Sequence, residues 1–174
     1  MRRKMTEQDV LKRLMIVCAK GEHCCQEMRE KMWKWGIDTN TQETIVNQLL
    51  DRQFINEERF CRAFVNDKIV FNRWGKRKIE AALYQKRIDK SIINAVLAEI
   101  DNQSYVEQLQ PLIESKRKQM KAELSDYEVN QRLLRFAVGR GYTYDVIKLA
   151  IGNVDNIDDI IADSPADYDE AETD

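Results

Sequence analysis

The stretch Ile79-Glu80-Ala81-Ala82-Leu83-Tyr84-Gln85-Lys86-Arg87-Ile88-Asp89-Lys90-Ser91-Ile92-Ile93-Asn94-Ala95-Val96 carries two apolar edges separated by a short turn. Ile79 and Leu83 stand four residues apart, Ile88 follows the turn, and Ile92, Ile93 and Val96 form an i, i+1, i+4 edge. That period places side chains on one face of a helix and on both faces of a strand, so two packed helices are expected. The pattern recurs on either side. Met28 and Met32 precede Ile37 and then Ile45, Val46 and Leu49; Val129 and Leu133 precede Tyr142 and then Val146, Ile147 and Ala150. A further helix precedes each pair, giving a repeat of about 48 residues.

Nine helices are expected, at 6–19, 23–35, 41–52, 57–71, 76–86, 90–99, 103–121, 126–139 and 144–151. Start signals support them. Thr6 opens the first apolar stripe of Val10, Leu11, Leu14, Ile16 and Val17. Asn40 with Glu43 and Ser125 with Glu128 have capping-box spacing, and Asn56, Asp89 and Thr143 suit N-caps. Gly36 and Gly141 sit where the left-handed C-cap conformation is needed. Pro111 falls inside the seventh helix and predicts a kink or a restart, since its ring removes one backbone bond at about 3 kcal/mol. No alternating β-branched run is present, so no strand is assigned. The fold class is all-α: three tandem three-helix repeats, at 1–55, 56–100 and 101–154, stacked in an elongated, curved array.

The chain has 174 residues and a formal charge of −2, which conceals an asymmetry. Residues 155–174 hold nine acids and no Lys or Arg, leaving +7 over residues 1–154. The acidic segment has the composition of a disordered tail. No apolar run approaches the roughly 20 residues of a membrane span, and no signal core follows the basic N-terminus, so a cytoplasmic protein is expected. Cys18, Cys24, Cys25 and Cys61 show no disulfide framework and are read as reduced thiols. His23, the single histidine, stands beside Cys24 and Cys25, but a tetrahedral metal site wants four ligands. No cofactor or metal is expected. No Ser/His/Asp set or G-x-x-x-x-G-K loop exists, so catalytic residues are expected to be absent.

The basic residues are concentrated. Lys68 to Lys90 holds eight against two acids, and Lys76, Arg77 and Lys78 fall in the first turn of a helix, where the dipole disfavours cations. Exposed N–H groups and three cations there suit an external anion. Lys116, Arg117, Lys118 and Lys121 form a second run, and Arg132, Arg135 and Arg140 extend it. The expected partner-binding face comprises these residues with Arg73, Lys86 and Arg87. Trp33, Trp35 and Trp74 are candidate stacking platforms, although at helical spacing such residues are more often core or rim residues.

Phe54-Ile55-Asn56-Glu57-Glu58-Arg59-Phe60-Cys61-Arg62-Ala63-Phe64-Val65, followed by Trp74-Gly75-Lys76-Arg77-Lys78-Ile79 and by Lys86-Arg87-Ile88, resembles the signature of the bacterial RecX family. That signature reads as an acidic pair before Arg-Phe-Ala, an aromatic-Val, then Gly, a basic pair, Ile, a spaced Leu and Lys-Gly-Ile. Here Cys61 separates Phe60 from the usual small residues, Lys78 stands where Arg is common, and Arg87 replaces Gly. Arg140-Gly141-Tyr142 resembles the family's Arg-Gly-Phe. The resemblance covers residues 6–152. It implies three three-helix repeats that bind the RecA filament on single-stranded DNA and inhibit its ATPase and strand exchange, with no membrane partner and a monomeric state. A helical module contacting duplex DNA directly is the alternative, and a scaffold recruiting an unrelated acidic protein is a third reading.

Overall fold

A computed structural model describes residues 5–120, 122–152 and 157–162. All its regular elements are helices: α1 Glu7–Cys18, α2 Cys25–Lys34, α3 Thr39–Asp51, α4 Glu57–Val70, α5 Lys76–Gln85, α6 Lys90–Ala98, α7 Asn102–Lys118, α8 Asp126–Gly139, α9 Tyr144–Ile151 and α10 Ile157–Ala162.

Local chemistry explains most of the starts. Asp9 N–H donates to Thr6 Oγ1 at 3.2 Å while Thr6 N–H donates to Asp9 Oδ2 at 3.1 Å, closing a capping box on α1. Ser125 and Glu128 do the same on α8. Asn56 accepts from Arg59 N–H at 2.9 Å and Asp89 from Ser91 N–H at 2.8 Å. Thr143 is an N-cap by backbone geometry, without a side-chain bond. The box expected at Asn40 and Glu43 does not form. α3 begins two residues earlier because Asp38 accepts from Thr41 N–H at 3.0 Å, and Glu43 instead binds Arg29 at 2.8 Å. Asp101, unremarked in the sequence, caps α7 through Ser104 N–H at 2.8 Å.

The repeat is written into how α2, α5 and α8 end. Gly36, Arg87 and Gly141 have φ of 73°, 57° and 84°. Each donates its N–H to the carbonyl three residues back, and the next residue donates to the carbonyl five back: Ile37 to Met32, Ile88 to Leu83, Tyr142 to Ala137. This is one Schellman closure made at three equivalent helix ends, with an apolar residue at the same place; it is made once more after α3, where Gln53 has φ of 58° and Phe54 N–H reaches the Leu49 carbonyl. Arg87, where glycine is usual, holds the turn against a left-handed penalty of about 1–2 kcal/mol. Arg87→Gly relieves that strain and gives back roughly 0.5–1 kcal/mol through unfolded-state entropy. The expected outcome is a modest gain in stability, read as a higher urea midpoint with an unchanged slope.

The chain divides into two compact units, Met1–Phe64 with Ala82–Val96, and Val65–Ala81 with Leu97–Asp174. In the first, Val10, Leu11, Leu14, Met28, Met32, Ile45, Val46 and Leu49 form the core, with Cys25 and Ile55. Ile16, expected within that stripe, is exposed. It lies two residues from Leu14, about 200° around the helix. The four cysteines are free thiols, three of them buried. In the second unit α7 packs on α8 and α9, and Tyr105, Val106, Leu109, Leu133, Leu134, Ala137, Tyr142 and Ile147 are buried.

One expectation narrows and another changes. α7 continues through Pro111, which removes the restart from the two outcomes expected there; Pro111 and Glu107 are both exposed, so the carbonyl left unpartnered by the ring meets solvent. The acidic segment expected to be unstructured from 155 onward contains α10, which packs on α8, buries Ile160 and pairs Asp158 with Lys148 of α9. Residues 163–174 lie outside the described residues.

Candidate functional site

The candidate site lies in the second unit and begins where α4 stops. Arg73 takes a left-handed φ of 52°, and Trp74 N–H folds back to the Lys68 carbonyl at 3.0 Å. The Trp74 ring then receives two ammonium groups, Lys68 Nζ at 4.8 Å and Lys78 Nζ at 4.9 Å from its centroid.

Gly75 and Gly141 join this turn to the one after α8. Gly75 N–H donates to the Arg140 carbonyl at 2.8 Å and Arg77 N–H to the Gly141 carbonyl at 2.9 Å. The Tyr142 hydroxyl donates to the Arg73 carbonyl at 2.9 Å, and an Arg140 guanidinium nitrogen lies 3.4 Å from the Asn72 carbonyl. Tyr142 is buried, and burial pushes its phenol up to about 12. A Cβ on Gly75 would lie 2.2 Å from Gly141 C, so the backbones touch only because both residues lack a side chain.

The cations around this junction rest on aromatic rings. The Arg77 guanidinium is 5.7 Å from the Tyr144 centroid, and Phe136 receives Arg140 at 5.2 Å and Lys116 at 5.5 Å. Such contacts contribute about 0.5–1 kcal/mol each at exposed positions. A ring quadrupole orients a cation without cancelling its charge, whereas a carboxylate would neutralise it. Arg73, Lys76, Arg77, Lys78, Lys116 and Arg140 form no ion pair among the described residues. Their field therefore remains directed at solvent.

The structure brings Arg73, Lys76, Arg77, Lys78, Lys116 and Arg140 to one junction. Arg132 and Arg135 are exposed on α8, and Arg117 and Lys118 are exposed at the end of α7. Lys121 lies outside the described residues. The anion site expected at the start of α5 is altered: Arg77 N–H is taken by Gly141, so the turn offers its cations more than its backbone donors. The aromatic supports Phe136 and Tyr144 were not singled out in the sequence, and Lys68 was counted only within the basic stretch; aromatic residues interleaved with cations were the available signal.

Lys86 and Arg87 belong to the first unit. Arg87 is exposed, but Lys86 Nζ is committed to Glu27 Oε1 at 2.6 Å, with the Phe60 and Phe64 rings at 5.7 and 5.6 Å. Glu27 Oε2 also meets His23 Nδ1 at 2.7 Å. Burial alone would raise the Glu27 carboxyl, but hydrogen bonds and charge from Lys86 and His23 hold it below the usual range. Glu27 thus binds its proton less readily folded than unfolded. Its contribution is complete above the ordinary Glu range near pH ~4.3 and is lost as pH falls below it. Lys86→Met should lower stability at neutral pH by about 1–2 kcal/mol, less than for a fully buried pair, and flatten this acid limb in urea titrations. Trp33 is exposed on α2, and Trp35 carries Arg13 at 4.6 Å; both lie in the first unit. Among the described residues no group of three or more His, Cys, Asp or Glu is placed to hold a metal.

Helix triplets closed by one repeated turn, with cations presented on aromatic supports, define a tandem three-helix repeat protein. Residues 56–97 match the family model "RecX, second three-helix domain", and residues 103–151 match "RecX, third three-helix domain", together more than half of the chain. The chain belongs to the RecX family. It is 29% identical over 124 residues to the regulatory protein RecX of Clostridium botulinum, covering 71% of this chain and 58% of the relative. It is also 29% identical over 133 residues to that of Vibrio campbellii, covering 76% and 83%. The chain thus spans about three fifths of the length of the clostridial relatives it matches. The crystal structure of RecX from Lactobacillus salivarius superposes with a TM-score of 0.74 at 19% identity, over 87% of this chain and 96% of that one. A second RecX crystal structure gives 0.76 at 16% identity, over 83% and 72%. These likenesses establish the all-helical fold.

Proposed function

We propose that this protein is a non-catalytic regulator that binds the RecA filament on single-stranded DNA and inhibits its ATPase and strand-exchange activities, thereby modulating recombination and DNA repair in the cytoplasm. The observation that carries this reading is the junction of Gly75 and Gly141, which gathers six cations without a carboxylate partner in a chain of the RecX family. Unpaired cations held on rings suit a polyanionic surface, because releasing condensed counterions rewards each phosphate neutralised. No cofactor is required, and a monomer suffices. Among the described residues no helix is long and apolar enough to cross a membrane.

Co-sedimentation tests the proposal. The protein should pellet with RecA assembled on single-stranded DNA and suppress ATP hydrolysis, while binding bare single strands and bare duplex more weakly. Tight, sequence-selective binding to an isolated duplex without RecA would replace this reading by direct duplex recognition.

A further inference from the structure

Within the chain, the start of the second helix of one triplet twice meets the closed end of the second helix of the next. The start of α5 meets the end of α8: Gly75 and Arg77 donate N–H groups to Arg140 and Gly141, and a Cβ on Gly141 would lie 2.5 Å from Lys78 N. The start of α2 reaches the end of α5: Glu27, in the first turn of α2, holds Lys86 at 2.6 Å, beside the left-handed Arg87. Two halves of this contact are uncovered among the described residues. Gly36 closes α2 as Gly141 closes α8, yet a Cβ on Gly36 meets nothing within 4 Å. Ile37 is only partly buried, whereas Ile88 and Tyr142 at the same place are 3% and 1% exposed. Ser125, Asp126 and Glu128, at the start of α8, are exposed as well.

We propose that the closed end of α2 takes the start of α8 from a second copy of this chain, so that copies join head to tail. The receiving surface is a groove of about 840 Å³ lined by Met5, Val10, Arg13, Lys34, Trp35 and Ile37. Glu7 and Asp38 also line it, but Glu7 accepts from Gln48 Nε2 at 3.2 Å and Asp38 from Thr41 N–H at 3.0 Å. Arg13 and Lys34 form no ion pair among the described residues. The Arg13 guanidinium stands 4.6 Å from the Trp35 centroid, which sets a cation beside the Gly36 closure as Lys86 sets one beside Arg87. The start of α8 has the opposite sign. Asp126 and Glu128 lie in its first turn, and Glu128 is the third residue of α8 as Glu27 is of α2. Glu128 is engaged in its capping box with Ser125, so Asp126 carries the unpaired charge. Because the two surfaces differ, the contact is heterologous, and each added copy leaves one half open for another.

No arm of the test contains RecA or nucleic acid, so its outcome is separate from that of the RecA reading. In sedimentation equilibrium at low salt, the full chain is raised towards about 1 mM, which reveals even a millimolar Kd. The weight-average mass should climb past that of a pair, and added salt should reduce it. Asp126→Arg alters only the start of α8. Gly36→Asn fills the groove with a residue that tolerates a left-handed φ. Each variant alone should stay at the mass of one chain. Their equimolar mixture should form pairs and stop there, because only one intact junction is available. Zero-length carbodiimide coupling of labelled with unlabelled parent chain should join Asp126 or Glu128 of one copy to Lys34 of another, a result that does not depend on how the variants fold. A parent chain that is monomeric throughout would overturn the proposal, as would a pair that never grows or a variant that associates like the parent. Mixed-isotope cross-links that leave out Lys34 would overturn it too.

Discussion

Gly75→Ala is expected to lower stability by about 3 kcal/mol, at the upper end of what overpacking costs. The new methyl would lie 2.2 Å from Gly141 C and Tyr142 N and 2.3 Å from the Gly141 carbonyl oxygen. All three are backbone atoms, so no side chain can swing aside, and relief requires the two turns to separate. Separation breaks the bonds from Gly75 N–H to Arg140 and from Arg77 N–H to Gly141, each contributing about 0.5–1.5 kcal/mol. Gly75 has no left-handed φ, so the cost is contact and not backbone conformation. Gly139→Ala is the control, because a Cβ there meets nothing within 4 Å. It should be neutral or stabilising by up to about 1 kcal/mol. Urea unfolding followed by tryptophan fluorescence reads both. A Gly75→Ala midpoint equal to that of the parent would show that the turns are not in contact in solution.

The largest functional effect should come from changing Lys76, Arg77 and Lys78 together to Glu. Inhibition of the RecA ATPase is expected to disappear while the unfolding midpoint stays nearly constant. Acids in the first turn of α5 gain about 0.3–1 kcal/mol each from the helix dipole. Loss of the cation–ring contacts of Arg77 and Lys78 offsets this by about 0.5–1 kcal/mol each. The close approach of Lys78 Cβ to Gly141 is unaffected, since Glu keeps the Cβ. Leu83→Ala separates folding from binding: Leu83 is fully buried, and its cavity should cost about 2–5 kcal/mol. Inhibition by that variant should fall only as far as the folded fraction does. A triple reversal that folds normally and inhibits at the parent's concentration would remove this turn from the binding face.

Much of this was legible in one dimension. The periods of Met28–Leu49, Ile79–Val96 and Val129–Ala150, the caps at Thr6, Asn56, Asp89 and Ser125, and the left-handed closures at Gly36 and Gly141 all depend on atoms within five residues along the chain. The α3 start shows the limit of even that: Asn40 was the expected cap, but Asp38, with extended backbone after the Gly36 closure, takes that place. The excess of cations between Lys68 and Lys90 was also visible, because it requires only counting.

Which cations share a site was not. Lys86 and Lys76 read alike in sequence, yet Lys86 is consumed by Glu27 and Lys76 faces solvent. Ile160 read as part of a solvated acidic tail until α8 supplied a surface to bury it. Gly141 read as a helix C-cap and Gly75 had no assigned role; only the tertiary contact shows that a side chain on Gly75 would meet Gly141 and one on Gly141 would meet Lys78. Helices, caps and closures were determined by the sequence because short-range sterics and hydrogen bonding select them residue by residue. The glycine junction, the division of the cations and the place of α10 were decided by tertiary structure, because each depends on which distant atoms meet when apolar faces are buried.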